Sequence, residues 1–385
     1  MSQRIILVQN AGRIQELQPG DTVLDGVELG RRNVVINGNF DVTQINSTAQ
    51  TTTGIQNLRL ADLWDLKIIS SAGIMQSNMF DTSVVPTIAQ SGTYSPASLE
   101  VLVQTGTSTI AAGDAAYLIT RIEGYNWRPL AQRSTTLSFW VNSTGPTGTY
   151  CVALRNSGED RSCVFEYSIP VANTWQKVVI HFPASPSAGT WVYDASGVGI
   201  DVIFTLMSGT TWRATPGNWV SANAFSTSNQ VNWLATGGNF FNIAQVQLES
   251  GDTANPFEIV PWAIEYANCQ RYLSKTAPYG TVSGSNNGTA GSIVYRTTVA
   301  GVHSQNQTWV YPVIMRTAPT VTYFDPSASG TTWRNVTGAA NSGASSSDLI
   351  QEHSVVVNNL QVSGDAIGNE IAIHAQADAR FAFAT

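Results

Sequence analysis

Period-two alternation recurs through the middle of this 385-residue chain, in TTLSFWVNS (135–143), YCVALRN (150–156), VFEYSI (164–169), WQKVVIHF (175–182) and GIDVIFTLM (199–207). Successive side chains of an extended strand point to opposite faces, so this pattern describes strands with one face buried and one face wetter. Gly, Pro, Asn or Ser bounds each run, and these residues supply turns. No helical pattern intervenes. Short strands at this spacing predict two packed sheets, a jelly-roll β-sandwich, and an all-β fold class. Composition agrees: 12% of residues are charged, against roughly 25% in a typical soluble domain. Ser, Thr, Asn, Gln and 32 glycines keep the surface wet instead.

The length exceeds what one core usually organises, and the pattern changes along the chain. Residues 33–265 read as the jelly roll. After Pro261 the sequence AIEYANCQRYLSK predicts one to three helical turns within 261–274, with 266–275 as a short connector. Beyond it, GTVSGSNNGTAGS and TGAANSGASSSD separate strands such as SIVYRTTV, TVTYF and HSVVVNNLQV. This makes 276–385 a second, smaller β-sandwich domain. Residues 1–32 hold two apolar bursts, IILV and TVLDGVEL, too few to fold alone and suited to pack on a partner or a neighbouring copy.

A net charge of −7, three lysines (Lys67, Lys177, Lys275) and no basic cluster beyond Arg31 and Arg32 leave no footprint for a phosphate backbone, so nucleic acid is not an expected partner. The run Ile5 to Val8 is too short for a signal peptide. No stretch approaches the roughly 18 apolar residues of a membrane span, so membrane insertion is not expected. A cytoplasmic origin then predicts reduced cysteines. Cys151, Cys163 and Cys269 show no metal-ligand spacing; the first two flank RNSGEDRS and could face each other across a hairpin, or could be free thiols embedded in strands.

Eleven tryptophans are many for this length, and indole faces stack on the apolar faces of sugar rings. Trp212, Trp219 and Trp233 lie in the polar, turn-rich segment TTWRATPGNWVSANAFSTSNQVNWLATGG and are the candidate glycan-binding residues; packing within the protein or against another subunit is the competing reading. Trp140 and Trp175 sit in strand patterns and are assigned to the core. Asp41, Glu249 and Asp252 occupy positions where a jelly roll could hold a structural calcium, against ordinary capping and turn roles. A depolymerase would need two carboxylates flanking a glycosidic bond. Glu123, Glu166, Asp194 and Asp201 are available, but nothing in their spacing selects a pair. The chain lacks G-x-S-x-G, H-E-x-x-H, a phosphate loop and a Cys/His cluster, and His181, His303, His353 and His374 stand apart. No enzyme activity, catalytic residue, metal or cofactor is expected.

Four segments resemble phage tail-fibre and tail-appendage proteins that contain a carbohydrate-binding-module-like jelly roll: NVVINGNFDV (33–42), IEGYNWRPLAQRSTTLSFWV (122–141), GTYCVALRNSGEDRS (148–162) and VQLESGDTANPFEIVPWAIEYANCQRY (246–272). In that family the VQLE-like segment is the last core strand of the jelly roll, a PFE turn follows, and a short helix ending in CQRY leads to a C-terminal β domain. The opening AGRIQELQPGDTVLDG resembles segments that face the virion. Where the family often carries Asp-Arg-Trp, this chain has Asp62, Leu63 and Trp64. The resemblance implies a virion component, a tail fibre or appendage. It would be assembled in the host cytoplasm and would work outside the cell as a homo-oligomer, a trimer by analogy. It would dock on other tail proteins through residues 1–32 and contact a host receptor or surface glycan. The alternatives are a head or tail decoration protein without a receptor, and a polysaccharide depolymerase.

Overall fold

The computed structural model describes residues 7–10, 13–16, 31–45, 50–53, 56–69 and 74–382. Most of the proposed attachment segment 1–32 therefore lies outside the described residues. Strand makes up 41% and helix 8%, so the all-β reading holds. A hairpin pairs β1 (Leu7–Asn10) with β2 (Arg13–Glu16). The sandwich strands are β3 (Gln50–Thr53), β4 (Gln56–Ala61), β5 (Trp64–Ile69), β6 (Ile74–Asp81), β7 (Ser98–Thr105), β8 (Ala115–Glu123) and β9 (Thr135–Ser143). They continue with β10 (Gly148–Asn156), β11 (Ser162–Ile169), β12 (Gln176–Phe182), β13 (Val198–Ser208), β14 (Trp219–Val220) and β15 (Phe240–Ser250).

These strands form a seven-stranded sheet in the order β14-β11-β10-β13-β8-β5-β4 and a six-stranded sheet in the order β12-β9-β15-β7-β6-β3. Alternation does what period two requires: Val178, Ile180 and Phe182 of β12 are buried, whereas the alternate positions Lys177, Val179 and His181 are exposed. Leu99, Val101, Leu137, Phe139 and Ile243 of one sheet meet Leu66, Leu118, Val152, Val202 and Phe204 of the other in a continuous core. Trp64 sits within it, 5.2 Å from the ring of Phe40 and 6.1 Å from that of Phe204. Trp140 and Trp175, assigned to the core from their strand patterns, are only half-buried. Trp140 lies between the inward-facing Phe139 and Val141, so alternation turns it outward.

The outer face of the seven-stranded sheet is covered as well. Ala115, Tyr117, Ile119, Ala153, Val164 and Ile203 lie under the segment after β13, chiefly under Ala224 and Phe225. A row of opposite charges crosses five neighbouring strands on this face. Arg59 meets Asp65 at 2.9 Å, Asp65 meets Arg121 at 2.7 Å, Arg121 meets Asp201 at 3.7 Å, and Asp201 meets Arg155 at 2.7 Å. Each charge buried this deeply needs its neighbour, so a slip of one strand by one residue would orphan several at once.

Residues 33–42 pack along β15. Asn33 donates to the Val246 carbonyl at 3.0 Å and accepts from the amides of Val35 and Leu248 at 3.0 and 3.1 Å. Gly38 is required by this contact, since a Cβ there would lie 2.1 Å from the Val246 carbonyl oxygen. Glu258 of the PFE turn accepts from the amides of Arg32 and Asn33 at 3.2 and 2.6 Å, and Arg31 pairs with Glu265 at 3.0 Å. The last two residues of the 1–32 segment are thus tied to the body.

A helix, Trp262–Gln270, follows Pro261 at its N-cap. It ends at Gln270, and β16 (Leu273–Lys275) is already a strand of the next sheet, so only the first part of the 266–275 connector is helical. The C-terminal strands are β17 (Ile293–Arg296), β18 (Ser304–Val310), β19 (Thr320–Phe324), β20 (Thr332–Asn335), β21 (Ala340–Asp348), β22 (Ser354–Leu360) and β23 (Glu370–Asp378). β23 is the hub, pairing with β16, β17, β19 and β20. The second core gathers Tyr295, Trp333, Val355, Val357, Ile371 and Ile373.

Candidate functional site

The segment following β13 folds back over the outer sheet face and is fixed there by polar contacts. Ser162 donates to the Ala222 carbonyl at 2.8 Å and accepts from the Ala224 amide at 3.1 Å. Gln230 accepts from the Cys151 amide at 2.7 Å. Phe225 and Ser226 donate their amides to the Trp212 carbonyl at 3.0 and 3.1 Å, and Gly217 donates to Val164 at 2.8 Å. Folding back leaves an open cavity of about 470 Å³ lined by Glu166, Arg213, Ala214, Thr215, Pro216, Thr227, Ser228 and Asn229.

Glu166 comes from β11, opposite Cys151 of β10, and points to the outer face because Val164 does. Its carboxylate accepts from the Thr227 hydroxyl and from the Asn229 amide group. Arg213 donates one Nη to the Ser208 carbonyl at 3.0 Å, while its Nε is buried without a partner. Beneath the rim, the Cys151 sulfur lies 3.6 Å from the Thr227 hydroxyl, and burial pushes its thiol pKa up. The cavity therefore presents one carboxylate, one guanidinium, three hydroxyls and an amide on a backbone held rigid from below. Such a mixture of donors and acceptors suits a neutral polyhydroxylated ligand, whose every hydroxyl both donates and accepts.

The three candidate tryptophans are not brought together. Trp212 adjoins the cavity through Arg213; its half-buried ring stacks on Phe225 at 5.2 Å and 21°, and its Nε1 donates to the Gly113 carbonyl at 2.9 Å. Trp219 lies at the sandwich edge, edge-on to Trp191 at 5.6 Å, and donates to the Pro183 carbonyl at 2.9 Å. Trp233 is 0% exposed. It sits in a short 3-10 turn edge-on to Phe241, so its assignment to a sugar surface is corrected to the core. Sequence reasoning missed Glu166 and Arg213 as partners. They are 47 positions apart, and only the fold-back of the 209–231 segment joins them.

The four carboxylates considered for catalysis are dispersed. Glu123 is held by Arg271 at 2.6 Å and by the Tyr272 hydroxyl at 2.9 Å, Asp201 by Arg155, and Asp194 by Arg128 at 2.7 Å; Glu166 alone lines the cavity. Of the calcium candidates, Glu249 is occupied by Gln247, Asn255 and Arg32, and Asp252 is exposed. Burial raises the Asp41 pKa. No group of three metal-ligating side chains occurs among the described residues. All three cysteines are free. Cys163 pairs in register with Leu154 and not with Cys151; its sulfur faces the inner core while that of Cys151 faces outward, so a hairpin disulfide is geometrically closed.

No protein-family model and no curated protein sequence matches the chain. Among solved structures, one similar chain is a putative sugar binding protein from Bacteroides thetaiotaomicron. It is 13% identical, with 57% of this chain and 100% of that one covered and a TM-score of 0.31. Another is a family 11 carbohydrate-binding module from Clostridium thermocellum in complex with a β-1,3-1,4-mixed-linked tetrasaccharide. It is 12% identical, with 54% and 90% covered and a TM-score of 0.24.

Proposed function

We propose that this chain is a non-enzymatic glycan-binding protein of a phage tail, a fibre or appendage. The single observation that carries the binding reading is the 470 Å³ cavity, whose Glu166, Arg213, Thr215, Thr227, Ser228 and Asn229 offer both donors and acceptors on a fixed sheet. A hydrolase would place a second carboxylate across the bond to be cut, and Glu166 has no such neighbour in the lining. The tail assignment is supported by the sequence resemblance. Two of the segments carrying it, 33–42 and 246–272, the latter the most specific, are hydrogen-bonded to each other through Asn33, Glu258 and Glu265. Host attachment, docking through the N-terminal segment and trimerisation belong to this same reading.

The test is an array of bacterial surface polysaccharides and oligosaccharides probed with the full chain and with Glu166→Gln and Arg213→Ala. Wild type should bind a subset of glycans, and each variant should lose about tenfold or more in affinity, as loss of a polar contact buried by ligand does. Absence of any glycan binding by wild type would favour a decoration role. Release of reducing ends from a bound polysaccharide would favour a depolymerase.

A further inference from the structure

β18 (Ser304–Val310) is an end strand of the C-terminal sheet, and only one of its two edges is used. It pairs with β22 along its whole length without a register shift. The Gln361 amide donates to the His303 carbonyl and the Tyr311 amide to the His353 carbonyl, both at 2.9 Å. Bonded and non-bonded pairs alternate in an antiparallel ladder, so Gln305, Gln307 and Trp309 also turn their backbone groups to β22. Ser304, Asn306, Thr308 and Val310 turn theirs the other way, where no backbone partner meets them among the described residues. Their side chains are exposed.

A row of free amides and carbonyls is a template for another strand, and proteins block such edges with charge, proline, a bulge or shortness. β12, an end strand of the six-stranded sheet, carries the exposed Lys177. β18 has no such device: its seven residues, SQNQTWV, include no charge and no proline. Val302 and Val310 at its two ends are 61% and 66% exposed, and Leu360, opposite Ser304 on β22, is 55% exposed. An uncharged edge brings no like charges together when it meets its own copy, which is what a self-complementary contact requires.

We infer that β18 pairs antiparallel with β18 of a second copy of this chain, across a two-fold axis at Gln307. Bonded pairs have to form between the residues that turn outward, and within the strand only Ser304 with Val310 and Asn306 with Thr308 engages all of them in both copies. Each Asn306 amide then faces a Thr308 hydroxyl, a pair that hydrogen-bonds across strands. Each exposed Val310 joins one cross-strand row with Ser304 and Leu360 of the other copy. The pairing is two-fold, so it adds to whatever contacts hold a trimer, and it draws on neither the cavity nor a glycan. Sedimentation of the full chain tests it. Wild type should have about twice the mass of Thr308→Pro or more, because the proline removes an outward donor and no bond to β22. Thr308→Lys, which puts a charge on the same exposed position, should give the same drop if the proline chain fails to fold. Gln307→Cys should form a disulfide-linked dimer on mild oxidation, since the central Cα atoms would lie about 4.5 Å apart. Ser304→Cys should not, because in this register its two copies are roughly 20 Å apart; the three native cysteines are buried. Equal masses for wild type and both Thr308 variants, no crosslink through Gln307→Cys, or an equal crosslink through Ser304→Cys would overturn the pairing.

Discussion

Glu166 and Trp233 show how little separates a surface residue from a core one in this chain. Glu166 lies in a strand pattern and Trp233 in a polar, turn-rich segment, yet Glu166 faces the cavity while Trp233 is fully buried with its Nε1 on the Phe240 carbonyl at 3.4 Å. Trp233→Ala should therefore cost about 3–5 kcal/mol of stability, read as a lowered urea midpoint, and Trp212→Ala should cost far less. His374 makes a pH-dependent contribution. Its Nε2 donates to the Gly288 carbonyl at 2.8 Å and its Nδ1 is 3.0 Å from the Thr276 hydroxyl, and burial lowers its pKa. The unfolded chain therefore binds this proton first as pH falls below about 6.5. Stability from this site is intact above that value and is lost as pH drops toward the lower folded pKa. Urea titrations at pH 7.5 and 5.5 should show a larger drop for wild type than for His374→Gln; equal drops would remove His374 as the source. At this scale the sequence was a partial guide. A strand pattern told inward from outward for Phe139 and Val178, but no local signal tells that Trp233 meets Phe241, which belongs to a strand fixed by partners some hundred positions away.

At the scale of elements, alternation was legible because each sandwich strand carries its own evidence, and the helix was legible from Pro261 onward. Its end was not. The sequence after Gln270 still reads as helical, and what stops it is the pairing of Leu273 and Lys275 with Asp378 and Gln376, a partner more than a hundred residues downstream. The candidate site was hidden for the same reason, since the cavity joins β11 to a returning segment. The strand-embedded thiols give a direct check. Cys163 is pushed up to about 12 by burial, and Cys151 and Cys269 are raised too. Alkylation at pH 8 should leave all three unmodified in the native protein and label all three after denaturation without reductant. Protection of Cys151 and Cys163 in the denatured protein would contradict the register. Gly38→Ala should also destabilise the 33–42 segment, because the Val246 carbonyl occupies the space a Cβ needs.

Across the whole molecule, the sandwich and the C-terminal unit are locked by Arg271, which donates to Glu123 at 2.6 Å and to the Ile314 carbonyl at 3.2 Å, and by the Leu63, Tyr272 and Phe381 cluster. Leu63 stands at the position where the resembling family often has Arg, and it packs this joint with φ of 68°. Arg271→Ala leaves the buried Glu123 carboxylate with one partner fewer and should cost about 3–5 kcal/mol. Calorimetry should show one unfolding transition in wild type and two in the variant. Ile259, Trp262 and Ile264, neighbours in sequence at the start of the helix, are exposed and motivate self-association, which sedimentation should register as a species larger than a monomer. Because Arg31 and Arg32 are tied to Glu265, Glu249 and Glu258, a truncation removing residues 1–30 should stay folded, and under the proposed tail role it should fail to join the particle. The central claim is that the sheet-face cavity holds a glycan, and the most direct measurement is a crystal structure of the full chain soaked with the oligosaccharide it retains best on the array. The account predicts a sugar ring between Glu166 and Arg213, hydrogen-bonded to Thr215, Ser228 or Asn229; an empty cavity with the sugar bound elsewhere would contradict it.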